Sequence, residues 1–563
     1  MKIFLVPCLI VSTILSVQGA VDETLVERAR GFAVVQSVCA KINLACIFPE
    51  DKLILRRIAY VESNDGLDGD AYQPGYYGGI WKVDESNFLA TKSLNPSLQS
   101  SIYAEFNIDW KTVSWKDLLK PFYSGLAARI YLSMVSPNIP RSAEDQALLW
   151  NQNYRKNGQT SVFVDKVNKL NTGCKQGVAD IALIVDGSGS IGINNFNVVK
   201  SFLKNLTESL NIGPDPELHT RISVVQFSNS VQQEFDLNDH STLAGYGTAV
   251  DKMGYLNSGT ATNIALDFLA TESFLQSSGA RGAGIPKIGI VMTDGHSNNL
   301  RDTLEAAKRL HQKDITVIAI GIGENINNEE LKAIATDPDC KNVFRLDGFF
   351  DLEALKESIE ITTCEAPIYV SNEEPMNFTL PPFESKNIKI TVSPSGLTIE
   401  IGGGDGVVFF SNETYPTSSF YDMKINMFFD IPAVAYFPGS TKLIDRYVYS
   451  RIESNTDKPC SYEIETVNKE INRCDPNPCP SHQKCVPKKH FSYGCIDEPR
   501  TSTTYNCEDK NPCTNENADL GKFFFPHDDR TKYVQCGQWE TCHEMTCRPG
   551  MVWSSRANTC VMS

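Results

Sequence analysis

Four regimes of hydrophobic patterning follow one another along the 563 residues. Between 21 and 173 apolar positions recur at helical spacing, at 25–38, 51–61, 121–135 and 143–150, and strand patterning is scarce. That predicts a mainly α-helical first unit. From 174 to 365 short, continuous β-branched runs (181–185, 222–227, 287–292, 316–320) alternate with helical stretches such as 264–274. Alternation of this kind predicts an α/β domain built on a doubly wound parallel sheet. Between 366 and 470 only brief strand-like runs remain, at 387–392, 397–401, 407–410, 423–429, 433–437 and 447–452, separated by Gly, Pro and Asn turns. Such spacing predicts a small β-sandwich with a spacer or packing role. Beyond it the apolar runs thin and cysteines take over, which predicts small disulfide-rich modules at 471–498 and 505–563.

The first twenty residues have a pattern of their own. Lys2 precedes an apolar run from 3 to 17 and then Gln18, Gly19 and Ala20. This predicts a signal peptide at 1–20, cleaved after Gly19 or Ala20. No later stretch has the length a spanning helix needs, so the chain is expected to be secreted and not membrane-spanning. Of 17 cysteines Cys8 leaves with the signal, and an even number remains, as a disulfide-bonded extracellular protein prefers. Cys39 and Cys46 lie close enough to bridge a short loop. Cys174 and Cys364 flank the second unit, with Cys340 a rival partner for Cys364; Cys460 pairs outside the sandwich or with whichever of these is left over. Asn205, Asn377 and Asn412 open Asn-x-Ser/Thr sequons and are candidate glycosylation sites. A net charge of −16 argues against a nucleic-acid partner, which needs a basic footprint.

The densest chemistry lies in IALIVDGSGSIG, residues 181–192. The buried run ends at Asp186, and the loop after it belongs in the crevice beyond the carboxyl ends of the strands. Asp186, Ser188 and Ser190 offer one carboxylate and two hydroxyls, hard donors suited to Mg²⁺. So few protein charges leave a cation ready to take a carboxylate from a partner. Downstream, SGTATN places Thr260 before a helical stretch and KIGIVMTDG places Asp294 at the end of another buried strand. The set resembles the metal-ion-dependent adhesion site of von Willebrand factor type A domains. That resemblance implies Asp186, Ser188, Ser190, Thr260 and Asp294 as ligands of a divalent cation, Asp294 through water.

In the first unit RRIAYVESNDG and YYGGIWKVDE stand out. A helix ending in Glu62-Ser63, followed by a Gly79-Ile80-Trp81-Lys82 turn, resembles the lysozyme-like fold of goose-type lysozymes and soluble lytic transglycosylases. Glu62 is then implied as the acid that protonates a glycosidic oxygen, which needs an apolar setting that Tyr60, Tyr76, Tyr77 and Trp81 could supply. Lys82 departs from the glutamine of that family, and a nearby ammonium would favour ionised Glu62, the wrong form for an acid. Asp84 and Glu85 read as surface charges.

The tail carries two further resemblances. Residues 474–495 resemble a truncated EGF-like module, in which Cys474–Cys485 and Cys479–Cys495 would suffice as bridges. Residues 505–563, with TKYVQC and TCRPGMVW, resemble the peritrophin-A (type 2) chitin-binding domain. By that resemblance Cys513 pairs with Cys536 and Cys547 with Cys560, leaving Cys507 and Cys542 as a replacement bridge. Sugar rings need flat apolar faces, and Phe525, Tyr533, Trp539 and Trp553 are the candidates. The whole resembles chitin-associated matrix proteins of the molluscan shell-matrix type. It implies a secreted, extracellular-matrix protein that holds chitin with its tail and an acidic protein or matrix ligand with its metal site. The competing expectation is a glycosidase targeted to chitin or bacterial wall.

Overall fold

The computed structural model describes residues 20–156, 158–170, 177–370, 375–428, 432–437, 446–467, 483–488, 492–497, 504–514, 517, 523–537, 541–548, 551–554 and 559–562. The signal-peptide stretch therefore lies outside the described residues, apart from Ala20. The chain divides into two compact units, Met1–Glu470 and Ile471–Ser563. Among the described residues no helix is long and apolar enough to cross a membrane.

The first unit opens with β1 (Val21–Asp22) and a set of helices, Phe32–Leu44, Ile54–Ser63, Pro121–Val135, Ala143–Leu149 and Thr160–Val167, around one apolar core. The first of these starts later than its periodicity predicts. Gly31 stands at its N-cap with φ +104°, a conformation that excludes a side chain at little cost only for glycine, and the stretch ahead of it makes a single turn, Glu23–Leu25. Pro121 opens its helix at the position where a missing N–H costs nothing.

Next comes a six-stranded mixed sheet made of β2 (Asp180–Asp186), β3 (Arg221–Phe227), β4 (Val231–Phe235), β5 (Lys287–Thr293), β6 (Ile315–Ile322) and β7 (Val343–Leu346), in the order β4-β3-β2-β5-β6-β7. All neighbours are parallel except β3 and β4, so the expected parallel sheet gains an antiparallel edge. Successive residues of β2 serve two cores. Ile181, Leu183 and Val185 pack with Phe196, Val199 and Phe202 of helix Gly192–Ser209; Ala182 and Ile184 pack with Leu266, Leu269 and Ala307 on the other face. That double burial is why the strand reads as a continuous apolar run.

Two further sheets close over a shared core: β14-β12-β16-β10-β8 and β15-β11-β17-β9. Their strands are β8 (Ile368–Val370), β9 (Met376–Leu380), β10 (Ser385–Val392), β11 (Leu397–Gly402), β12 (Gly406–Ser411), β14 (Met423–Met427), β15 (Ala433–Phe437), β16 (Arg446–Ser454) and β17 (Cys460–Val467), with β13 (Phe420–Tyr421) apart from both. The sandwich packs against the rest of the first unit. β1 pairs antiparallel with β13, and Ser37 and Thr417 share a hydrogen bond of 2.7 Å. Lys386, buried on β10, donates to the Val178 carbonyl ahead of β2 (3.2 Å).

A disulfide joins Cys46, just past the first long helix, to Cys340, just before β7. The short-loop bridge between Cys39 and Cys46 is therefore corrected: Cys39 sits inside helix Phe32–Leu44 and is free, while Cys46 lies beyond the helix end against the neighbouring domain. Arg57, 5% exposed, donates to Gln146 (2.9 Å), to the Arg141 carbonyl (3.1 Å) and to Glu357 of the neighbouring domain. Cys364 is disulfide-bonded too, and since Cys340 is taken, the rival pairing of those two falls away; Cys174 lies outside the described residues. Cys460 is free and buried in the sandwich, not bridged.

In the second unit, β18 (Gln483–Lys488) and β19 (Ser492–Asp497) form a hairpin that sets Cys485 opposite Cys495. Cys474 and Cys479 lie outside the described residues. β20 (Phe524–Pro526), β21 (Lys532–Cys536) and β22 (Cys542–Thr546) make a three-stranded sheet; β23 (Met551–Ser554) and β24 (Thr559–Met562) make a hairpin. Disulfides join Cys507 to Cys542, Cys513 to Cys536 and Cys547 to Cys560.

Candidate functional site

β2 and β5 are adjacent and end together, which brings Asp186 and Asp294 to one edge of the sheet. Asp186 is 1% exposed. Its Oδ1 accepts the Ser188 N–H (2.8 Å) and its Oδ2 the Thr293 hydroxyl (2.7 Å). Ser188 and Ser190 share a hydroxyl hydrogen bond of 3.0 Å, and Ser190 donates to Oδ1 of Asp294 over 2.9 Å. Four of the five expected ligands thus form one chain of contacts, and Thr260, 9% exposed, stands on the adjoining loop.

The loop keeps its shape through its neighbours. The Gly187 N–H donates to the Phe227 carbonyl (2.7 Å) and the Gly189 N–H to the Ser258 carbonyl (2.7 Å). Tyr255 donates its hydroxyl to the Ser188 carbonyl (2.5 Å) and accepts the Gly192 N–H (2.9 Å). Gly187 has to be glycine for space: a Cβ there would lie 2.2 Å from Oε1 of the buried Gln226.

Burial pushes Asp186 up to about 6, outweighing the hydrogen bonds from Ser188 and Thr293, and burial also raises Asp294. Neither carboxylate is ion-paired with Lys or Arg among the described residues. Two carboxylates and three hydroxyls, all hard oxygens, suit Mg²⁺ or another hard divalent cation, whose charge would offset the cost of ionising Asp186.

Residues 180–358 match the von Willebrand factor type A domain. Similar curated proteins each cover about a third of the chain. The human collagen alpha-5(VI) chain is 38% identical over 192 residues, 34% of this chain and 7% of the collagen. Mouse matrilin-2 is 34% identical over 195 residues (34% of this chain, 20% of matrilin-2), and chicken matrilin-1 is 35% identical over 185 (33% and 36%). The chain thus spans only a minor part of these relatives. Among solved structures, proximal thread matrix protein 1 from the mussel byssus, with a zinc-occupied MIDAS motif, is 29% identical, with a TM-score of 0.32 over 37% of this chain and 50% of that one. Manganese-loaded TRAP protein of Plasmodium vivax is 27% identical, with a TM-score of 0.28 over 33% and 74%.

The helical head holds a second carboxylate site. Glu62, 6% exposed, ends helix Ile54–Ser63 and accepts the Trp150 indole N–H at Oε1 (2.7 Å), with Arg155 3.7 Å from Oε2. Burial raises its pKa against the opposing pull of Arg155 and Trp150. Lys82 does pull Glu62 towards the ionised form, as expected, but less than Arg155 and Trp150 do and against the larger effect of burial; its ammonium is itself paired with Asp70 (2.7 Å). Trp81 is no cleft wall: it is fully buried and donates to the Leu55 carbonyl (2.8 Å). Asp84 is more than a surface charge, since it accepts the Tyr76 hydroxyl (3.2 Å) and lies 3.9 Å from Arg155. Tyr76 and Tyr77 both meet Trp115 edge-on, and Tyr60 lies under Arg56.

In the tail Phe525 is core, 7% exposed and packed with Cys513 and Val534, so it has no face free for a sugar. Its neighbour Phe524 points the other way and is 40% exposed. Phe524 borders Tyr533 and Trp553, whose rings stack at 4.2 Å and 17°. Trp539 lies outside the described residues. Of the sequons, Asn377 and Asn412 are exposed, whereas Asn205 lies within helix Gly192–Ser209 and donates to Glu353 (3.0 Å).

Sequence reading passes over Thr293, Trp150, Arg155 and Phe524. Thr293 carried a signal, a lone hydroxyl closing an apolar run. Trp150 stands 88 residues from Glu62 and carried none.

Proposed function

We propose that this chain is a secreted matrix protein whose type A domain holds a divalent cation, Mg²⁺ above others, on Asp186, Ser188, Ser190, Thr260 and Asp294. The cation would supply an open coordination position for a carboxylate of an acidic protein or matrix ligand. The observation that carries this reading is the unbroken run of contacts from Asp186 through Ser188 and Ser190 to Asp294, all at the strand ends and, among the described residues, without a Lys or Arg ion pair. The similarity to collagen and matrilin chains supports a place in the extracellular matrix. Isothermal titration with MgCl₂ tests it: the parent is expected to bind one ion and the Asp186→Ala variant none. Equal binding by both would remove the site from this reading.

Chitin is the proposed partner of the tail, through Phe524, Tyr533 and Trp553 with Trp539 as a further candidate. The partly exposed aromatic trio supports it, since stacking on a sugar ring needs such a surface. Retention on insoluble chitin, lost in a Phe524→Ala, Trp553→Ala double variant, is the expected result.

The second reading is glycosidase activity of the head. Its specific support is the buried carboxyl of Glu62, whose pKa burial raises in the direction a general acid needs. Release of fragments from peptidoglycan or chitin oligomers, abolished in Glu62→Gln, would establish it; no release by the parent would exclude it for those substrates.

A further inference from the structure

Asp186, Ser188, Ser190 and Asp294 are joined to one another by hydrogen bonds, but Thr260 is held by something else. Its N–H donates to Oδ1 of Asn298 (3.0 Å), and its carbonyl accepts the Asn298 N–H (2.7 Å). The Asn298 side-chain amide then donates to Oδ1 of Asn229 (3.1 Å), and the Asn229 amide donates to the Ser258 hydroxyl (2.9 Å). Ser258 is in turn bridged to Ser188 by backbone contact, its carbonyl accepting the Gly189 N–H. The circuit runs through four segments: the loop after β5 that bears Asp294, the turn between β3 and β4 that bears Asn229, the loop that bears Ser258 and Thr260, and the loop after β2 that bears Ser188.

From this circuit we infer that Asn298 is the positioning residue of the metal site, setting the distance of the Thr260 hydroxyl from the other four donors. Asn298 mimics a strand partner: its backbone N–H and side-chain oxygen take up both main-chain groups of Thr260. A metal ligand on a loop is only as well placed as the groups behind it, and loss of such a support weakens binding without touching a ligand. Asn298 and Asn229 are both exposed, so neither is explained by packing. Gly259 fits the same account, because a Cβ there would lie 2.2 Å from Oδ1 of Asn229 and break the circuit. This inference rests on the cation reading above.

A thermodynamic cycle on the full chain tests it, with Mg²⁺ binding followed by titration calorimetry and exchange of the Thr260 amide hydrogen followed without metal. Asn298→Ala is expected to weaken Mg²⁺ about tenfold when Thr260 is present. In a Thr260→Ala background it is expected to weaken Mg²⁺ by less than about twofold, since the two act as one unit. Asn298→Ala should also accelerate exchange at Thr260 while leaving amides in the middle of β2 as slow as in the parent. Equal losses in both backgrounds, or unchanged exchange at Thr260, would overturn the assignment of Asn298. A parent that binds no Mg²⁺ yet shows faster Thr260 exchange in Asn298→Ala would instead refute the cation reading, leaving the loop support in place. Should Asn298→Ala fail to fold, Asn229→Ala breaks the same circuit one bond further out and is read the same way.

Discussion

The indole N–H of Trp150 is donated to Oε1 of Glu62 over 2.7 Å, and that one neutral donor is the closest support the carboxylate has. It offsets only part of the cost of burial, so the pKa of Glu62 lies above its ordinary 4.5. The folded chain therefore binds this proton more tightly than the unfolded chain does. Ionisation costs stability in full above the folded pKa, and the cost disappears as pH falls below 4.5. Glu62→Gln keeps an acceptor for Trp150 and is expected to raise the urea midpoint at pH 7, with the gain gone by about pH 4. Equal midpoints at pH 7 would show that burial costs Glu62 nothing.

Lys386 presents the opposite sign. Burial lowers it from 10.5 to about 8, with Arg281 adding to the shift and Glu384 opposing it, while its ammonium donates to the Val178 carbonyl. Below pH 8 both states carry the charge and the folded state bears the penalty; between 8 and 10.5 only the unfolded chain stays protonated, so stability from this group rises with pH. Lys386→Met is expected to be more stable than the parent at pH 7 by up to about 3 kcal/mol, and to lose the advantage by about pH 10. Denaturant curves at the two pH values measure it.

Cation binding to the type A domain should show as mass action. With Mg²⁺ at a hundred times its dissociation constant the parent is expected to gain about 3 kcal/mol, read as a higher melting temperature, and EDTA should remove it. Asp186→Asn is expected to melt at the same temperature with and without Mg²⁺. A gain that persists in the variant would place the ion elsewhere.

Gly187→Ala probes the same site through space alone. The added methyl would meet Oε1 of Gln226, whose side chain donates to Glu234 (2.8 Å) and to the Gly254 carbonyl (2.6 Å) and accepts the Leu256 N–H (3.0 Å). Overpacking of this sort costs about 1–3 kcal/mol. The variant is expected to lose both thermal stability and Mg²⁺ affinity; full Mg²⁺ affinity would show that the loop relaxes.

The strand ends were legible because each is a local signal. A β-branched run buried on two faces stops at a carboxylate, and this happens at Asp186 and again at Thr293-Asp294. Partners far apart in sequence left no such trace. Lys82 beside Asp70 is a contact over 12 residues, but nothing in its neighbourhood says that its ammonium pairs with Asp70. Phe524 and Phe525 differ by one step of strand parity, and with three phenylalanines in a row, Phe523–Phe525, the face that meets the cysteines is undetermined from sequence. Asn298 follows an already conspicuous motif, yet its role depends on Thr260, 38 residues earlier.

The link between Cys46 and Cys340 also sets a schedule for biosynthesis. The two are 294 residues apart, and a ribosome adding about 5–20 residues per second needs roughly 15–60 s to cover that span. Throughout that interval Cys46 has no Cys340 to pair with, and Cys39 is only seven residues behind it. β1 waits longer still, since its partner strand begins at Phe420. Maturation of the head therefore cannot run ahead of the rest of the unit, and it has to be protected from, or rescued by exchange out of, the nearest wrong bond.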